Sequence, residues 1–202
     1  MMKTLIISGH PDLSTSVANQ TILEELEKAL PDAEIRKLDQ LYPDAVIDVE
    51  AEQKALLEAD LIVWQFPFWW YSLPWLMKKW LDEVFLHGFS HGSTAKLGGK
   101  KLLVSFTTGA PAEAYTGGEG SLGDIQKMVE IFPATAILCG LDYQGALYVH
   151  GVGYTTRDDE AKTESQRADA KAYAAKLIAR IQEITGESLM IYLAMMKSVS
   201  FF

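Results

Sequence analysis

Short apolar runs alternate with amphipathic stretches along most of this chain. Leu5-Ile6-Ile7, Leu61 to Phe66, Lys101 to Phe106 and Gly145 to His150 each hold a compact apolar segment rich in β-branched or aromatic residues. Such runs read as strands buried on both faces. Glu34 to Leu38 alternates polar and apolar and reads as a more exposed strand. Between them the apolar positions recur at helical spacing: Val17, Ile22, Leu26 and Leu30, then Leu76, Trp80 and Val84. Helices are therefore expected after Ser16, over Val49–Ala59, and over Pro74–Phe85 with Pro74 near the start. Another is expected around Ile125, Met128, Val129 and Phe132, broken or kinked at Pro133, and a last one over Asp158–Ile184. Residues 39–47 read as a connection, and the glycine-rich segments 87–99 and 109–123 as long loops.

Strands alternating with helices imply βαβ units and a parallel sheet with helices on both faces. Five strands in about 150 residues fit an α/β, doubly wound, five-stranded sheet of flavodoxin-like order 2-1-3-4-5 better than a six-stranded dinucleotide fold. One domain is expected over 1–186, followed by an apolar tail over 187–202. The tail, LMIYLAMMKSVSFF from Leu189, is too short to span a bilayer and is expected to pack against a protein face.

The most informative stretch is QFPFWWYSLPWLMKKWLDEVF, Gln65 to Phe85. Pro67 and Pro74 bracket Phe68, Trp69, Trp70 and Tyr71 directly after a buried strand. Aromatic clusters are usually core, but in open α/β sheets the ligand crevice lies beyond the carboxyl ends of the strands. Two more loops should open on that edge. His10-Pro-Asp-Leu-Ser14-Thr15-Ser16 follows the first strand, and its hydroxyls and the helix start behind them suit either plain capping or a phosphate. Thr107-Thr108-Gly109 begins the third, which carries Tyr115. Together a phosphate cradle, an aromatic shelf and a glycine-rich loop suit a flavin mononucleotide.

Composition narrows the partners. Net charge is −9 without a basic cluster, against nucleic acid or an anionic membrane surface. The single cysteine, Cys139, permits no disulfide within the chain and reads as an inert buried thiol. The N-terminal apolar run is too short for a signal peptide, and a cytoplasmic protein is expected. No metal-ligand spacing occurs, and neither G-x-x-x-x-G-K-[ST] nor G-x-G-x-x-G is present. His87 and His91 read as surface residues or as lining a partner's pocket, and His150 as a structural residue.

SGHPD with Ser16-Val-Ala-Asn19, the Gln65–Phe85 stretch, and TTGAPAEAY resemble the flavodoxin-like NAD(P)H:quinone oxidoreductases, in that family's order over roughly residues 4–150. The family includes DT-diaphorase, bacterial drug-activity modulators and ancillary subunits of potassium efflux. The resemblance implies a homodimer carrying FMN or FAD, with FMN favoured, and NAD(P)H as co-substrate. It implies ping-pong hydride transfer to a quinone-like small molecule. It places His10, Ser16, Val17 and Asn19 at the flavin phosphate and ribityl chain, and Pro67, Phe68, Trp69, Trp70 and Tyr71 along the ring. Thr107, Thr108, Gly109 and Tyr115 would border the other edge, with Tyr115 catalytic, stabilising negative charge on the reduced ring. The family often has a histidine shortly after this tyrosine. Here Glu119-Gly-Ser121-Leu-Gly123 stands there, leaving the task to Tyr115 and backbone donors, or to Ser121. Two other readings use the same fold: a regulatory subunit bound to a membrane transporter, and a single-electron flavodoxin. The paired Pro-aromatic and TTG loops resemble the two-electron enzymes rather than the latter.

Overall fold

The computed structural model describes residues 2–154 and 158–187. The tail from Ser188 onward, including the apolar segment 189–202, lies outside the described residues. Among them, five strands form one parallel sheet: β1 (Thr4–Ser8), β2 (Glu34–Lys37), β3 (Leu61–Pro67), β4 (Lys101–Thr107) and β5 (Asp142–Val149). Their spatial order is β2-β1-β3-β4-β5, the doubly wound order expected from the alternation. The helices are α1 (Val17–Ala29), α2 (Leu38–Leu41), α3 (Val49–Glu58), α4 (Trp75–Val84), α5 (Ile125–Met128), α6 (Ile131–Cys139) and α7 (Glu160–Thr185).

Strand alternation divides the core into two layers. Ile6, Val63 and Leu103 face α1 and α7, meeting Ile22, Leu26, Ala174 and Leu177. Ile7, Ile62, Trp64, Phe66, Val104 and Phe106 point the other way, toward Leu56 of α3, Trp80 of α4 and Phe132 of α6. β1 and β3 are buried along their whole length, which is why their sequences read as unbroken apolar runs. Each large side chain in these layers contributes roughly 1.5–3 kcal/mol.

Several local expectations are corrected. β2 ends at Lys37 and not Leu38. Leu38 is fully buried as the first residue of α2, whose other three residues lie in the stretch read as a connection. The helix expected across Pro133 is two helices, and the break falls at Val129–Glu130. Pro133 sits in the first turn of α6, where its missing N–H removes no helical hydrogen bond. At the outer edge, β5 carries a bulge. Leu102 pairs with Tyr143 and Val104 with Ala146, so Gln144 and Gly145 together oppose Leu103. Gly145 has φ 97°, a conformation natural to glycine.

One carboxylate ties the rim of the sheet to two helices. Glu52 of α3 is fully buried. Its Oε1 accepts from Arg36 Nε at 2.8 Å and Nη2 at 2.6 Å and from the Tyr42 hydroxyl, and its Oε2 accepts from Trp80 Nε1 at 2.9 Å. Burial, and then the Glu52 carboxylate, push the Tyr42 phenol up to about 12. Removing the acceptor leaves a largely buried guanidinium and an indole N–H without it. Glu52→Ala is therefore expected to cost about 3–5 kcal/mol, read as a fall of roughly 10 °C in Tm. A Tm within about 2 °C of wild type would show that Arg36 and Trp80 find equal partners elsewhere.

Candidate functional site

The chain reverses direction across the sheet between β1 and β3, and the loops after β1, β3 and β4 open together at that reversal. They enclose a crevice of about 550 Å³, a size that suits a small organic ligand.

The first loop leaves β1 at Gly9, whose N–H donates to Gln65 O at 2.8 Å. A side chain at Gly9 would overlap Met77 of α4, with Cβ only 2.2 Å from its sulfur, so only glycine lets the loop pass this closely. His10 is buried, edge-on to Trp69 at 5.3 Å. Its Nδ1 accepts the Asp12 N–H at 3.0 Å, which assigns the ring proton to Nε2. Asp12 then caps a 3-10 turn over Leu13–Thr15. The Ser14 hydroxyl is turned back to Asp12 Oδ1 at 2.6 Å, so of the three hydroxyls expected to cradle a phosphate, Thr15 and Ser16 line the crevice and Ser14 does not. Ser16 caps α1, accepting the Asn19 N–H at 3.2 Å. The helix N-terminus adds partial positive charge at this end.

The second loop continues β3 through Pro67. Phe68 N donates to Thr107 O at 2.8 Å, and the Phe68 ring stacks on Phe106 at 4.7 Å, so this side chain belongs to the core. Trp69 to Ser72 then closes a tight turn, with Ser72 N donating to Trp69 O at 3.0 Å. Trp70 and Tyr71 occupy its centre at φ 49° and 64°. Two positive-φ residues define the type I′ turn, normally Asn-Gly. Bulky aromatics there store of order 1–3 kcal/mol each. Trp70 is 91% exposed.

The third loop begins at Thr107, which is buried in the crevice wall. The Thr108 hydroxyl lies 2.9 Å from Ala110 O and 2.8 Å from His150 Nδ1. Gly109 packs on Gly153, where a Cβ would sit 3.2 Å from Gly109 O. Tyr115 ends a 3-10 turn over Ala112–Tyr115 and is buried. Its ring stacks on His150 at 5.3 Å. Burial pushes its phenol up, opposed by a hydrogen bond with Thr108. Burial likewise holds the His150 imidazole down, opposed by Glu113.

Of the residues named from sequence, His10, Ser16, Asn19, Pro67, Phe68, Trp69, Trp70, Thr107 and Gly109 line the crevice. Val17 lines a small adjoining cleft with Thr15 and Val152. Tyr71, Thr108 and Tyr115 stand outside the lining, although Tyr115 shares a hydrogen bond with Thr108 and lies within electrostatic reach of Tyr71. Ser121 gives its hydroxyl to Gly118 O at 2.7 Å and not to Tyr115. Sequence reasoning missed Val152, Gly153 and Tyr154, which close the crevice from the loop after β5. The signal was the Gly151-Val-Gly153 pair of glycines past a strand end. Cys139 is buried, with its thiol pushed up by burial. Among the described residues no group of three metal-ligating side chains gathers, and no helix is long and apolar enough to cross a membrane.

Comparisons with known proteins agree with this architecture. A family model described as a flavodoxin-like fold matches residues 2–176. The chain is 38% identical over 170 residues to an uncharacterized NAD(P)H oxidoreductase, YrkL, of Bacillus subtilis, covering 83% of this chain and 97% of that one. It is similar to the structure of general stress protein 14 from Treponema denticola in complex with FMN, with TM-score 0.76 and 34% identity over 88% of this chain and 99% of that one. It is also similar to an NADPH-quinone reductase from P. pentosaceus, with TM-score 0.68 and 30% identity over 86% and 96% of the two chains. With its reversed five-stranded sheet and three-loop crevice, the chain belongs to the flavodoxin-like family that includes these NAD(P)H oxidoreductases and quinone reductases.

Proposed function

We propose that this protein is a cytoplasmic, homodimeric, FMN-dependent NAD(P)H oxidoreductase that passes two electrons as hydride to a quinone or similar small acceptor by a ping-pong route. One observation carries the reading: helix-start donors, a proline-led aromatic shelf and a Thr-Thr-Gly wall meet in a single crevice. The relatives support it, one in complex with FMN and two named for NAD(P)H or NADPH.

When bound, the flavin supplies the two-electron chemistry. The residues of this chain supply binding, orientation and charge. Ser16 and the first N–H groups of α1 suit a phosphate, whereas the Thr15 hydroxyl is given to Asp12 O at 2.9 Å. The backbone of Pro67–Trp69, held by Phe68 on Phe106, provides a rigid apolar flank that excludes water from one side. Gly109 and Gly153 keep the opposite wall thin. Tyr115, its phenol raised by burial, remains a protonated donor at neutral pH. Tyr115 stands just outside the crevice lining, beside Thr108 and His150, and is the phenol of this loop that would donate to developing negative charge at the ring edge.

Purified protein is expected to be yellow, with about one flavin per chain bound in this crevice. A colourless protein that binds neither FMN nor FAD on titration would end this reading. Tyr115→Phe is expected to slow flavin bleaching under NADH or NADPH by about tenfold to a few hundredfold while affinity for flavin changes little. A stopped-flow rate within about twofold of wild type would mean the hydroxyl is not the donor and Tyr115 only packs. The exposure of Trp70 in the crevice lining and of Trp75, 57% accessible at the start of α4, supports the dimer. Scattering at micromolar concentration should return a dimer mass, and an active monomer would contradict it.

A further inference from the structure

Beneath the crevice floor runs a buried chain of amides and hydroxyls. Gln65 of β3 and Asn19 of α1 are 0% and 3% exposed. Gln65 Nε2 donates to Asn19 Oδ1 at 2.8 Å. With its oxygen engaged there, the Asn19 amide turns its nitrogen the other way, donating to Ser16 Oγ at 3.0 Å and Thr107 Oγ1 at 3.2 Å. Ser16 Oγ also accepts the Asn19 backbone N–H at 3.2 Å.

A hydroxyl has two lone pairs and one proton. Asn19 fills both lone pairs of Ser16, so the Ser16 proton must be given to something other than Asn19. Ser16 lines the crevice. Thr107, also in the crevice wall, accepts from Asn19 and keeps only a 3.4 Å contact back to Asn19 Oδ1 for its own proton. That is longer than a good hydroxyl hydrogen bond. Ser16 is thus set as a donor toward the crevice, and Thr107, whose proton has only this long inward contact, can turn it there as well.

We propose that Gln65 is a positioning residue that fixes the polarity of this network. By donating to Asn19 it makes Ser16, and lets Thr107, present a proton, not lone pairs, and so selects a ligand ending in an anionic acceptor of the phosphomonoester class. The proposal rests on the flavin reading above for its ligand and deepens it. The reverse polarity would have Gln65 Oε1 accepting from the Asn19 amide nitrogen. Asn19 Oδ1 would then draw both hydroxyl protons inward and present lone pairs to the ligand, repelling an anion. Gln65 Oε1 has no hydrogen-bond partner among the described residues, so the glutamine is held through its nitrogen. Neither its place in an apolar strand nor its burial marks it as a ligand contact; it acts through Asn19.

FMN and riboflavin differ only by the phosphate, which makes them the probes. Apoprotein of the wild type and of Gln65→Met, which keeps length and volume but loses the donor, is titrated with each by flavin fluorescence, alongside thermal melts. The wild type should favour FMN. Gln65→Met should lose about tenfold or more in FMN affinity, the worth of a charge-assisted hydrogen bond, while riboflavin affinity stays within about threefold and Tm is kept. An unchanged FMN-to-riboflavin ratio overturns the proposal. So does a parallel fall of both affinities with Tm, which would make Gln65 merely structural. If Gln65→Met fails to fold, Gln65→Leu, which also lacks a donor and brings no charge into the buried strand, reads the same ratio. If the wild type binds neither flavin, the functional reading fails instead. Protection against melting by inorganic phosphate, present in wild type and lost in Gln65→Met, then decides the network's polarity alone, and equal protection in both overturns it.

Discussion

The parallel pairing of β1 with β3 is the constraint on which the site depends. Ser8 and Gln65 are register partners, and the Gly9 N–H to Gln65 O bond extends the ladder one step past β1. The chain goes one way from this seam to reach β2 and the other way to reach β4. The loops on either side must therefore diverge, and the gap between them is the crevice. Both strands are covered by helices on both faces, so the seam cannot shift without exposing Ile6, Ile7, Val63 and Trp64 together. A rigid sheet edge is what allows loops with little regular structure to hold a fixed shape.

The loops differ in how they are held. The first is fastened by polar bonds from His10, Asp12 and Asn19. The second is fastened by stacking of Phe68 on Phe106 and by a turn that strains two aromatics. The third is fastened to β5 through Thr108 N to Val149 O at 2.9 Å and through the His150 ring. Strained backbone persists only where its surroundings over-determine it. Phe68 on one side and Ser72 on the other supply that restraint for Trp70 and Tyr71.

Much of this was legible in the residues. β1, β3 and β4 announce themselves because burial on both faces leaves no room for charge. The crevice edge followed from the strand order, since Pro67 and Thr107-Thr108-Gly109 each stand where a buried run stops. What stayed hidden depends on contacts distant in sequence. Nothing in the sequence of the 49–59 helix marks Glu52, which Arg36, Tyr42 and Trp80 surround in the fold. His150 reads as a strand-end residue, and only folding sets it against Tyr115. Tyr154 carries no local signal beyond the glycines before it. Leu38 was assigned to a strand because periodicity cannot show where a buried residue changes from one element to the next.

The bulge in β5 bears on how molecules of this protein meet one another in a crowded solution. Among the described residues β5 is the outermost strand beyond β4, and a straight outer strand offers its free N–H and C=O row to any extended chain. Doubling Gln144 and Gly145 against Leu103 breaks the spacing of that row midway along the strand. A visiting strand could match the half before the bulge or the half after it, but not both in one register. The fold thereby carries, in its own irregularity, a guard against edge-to-edge polymerisation.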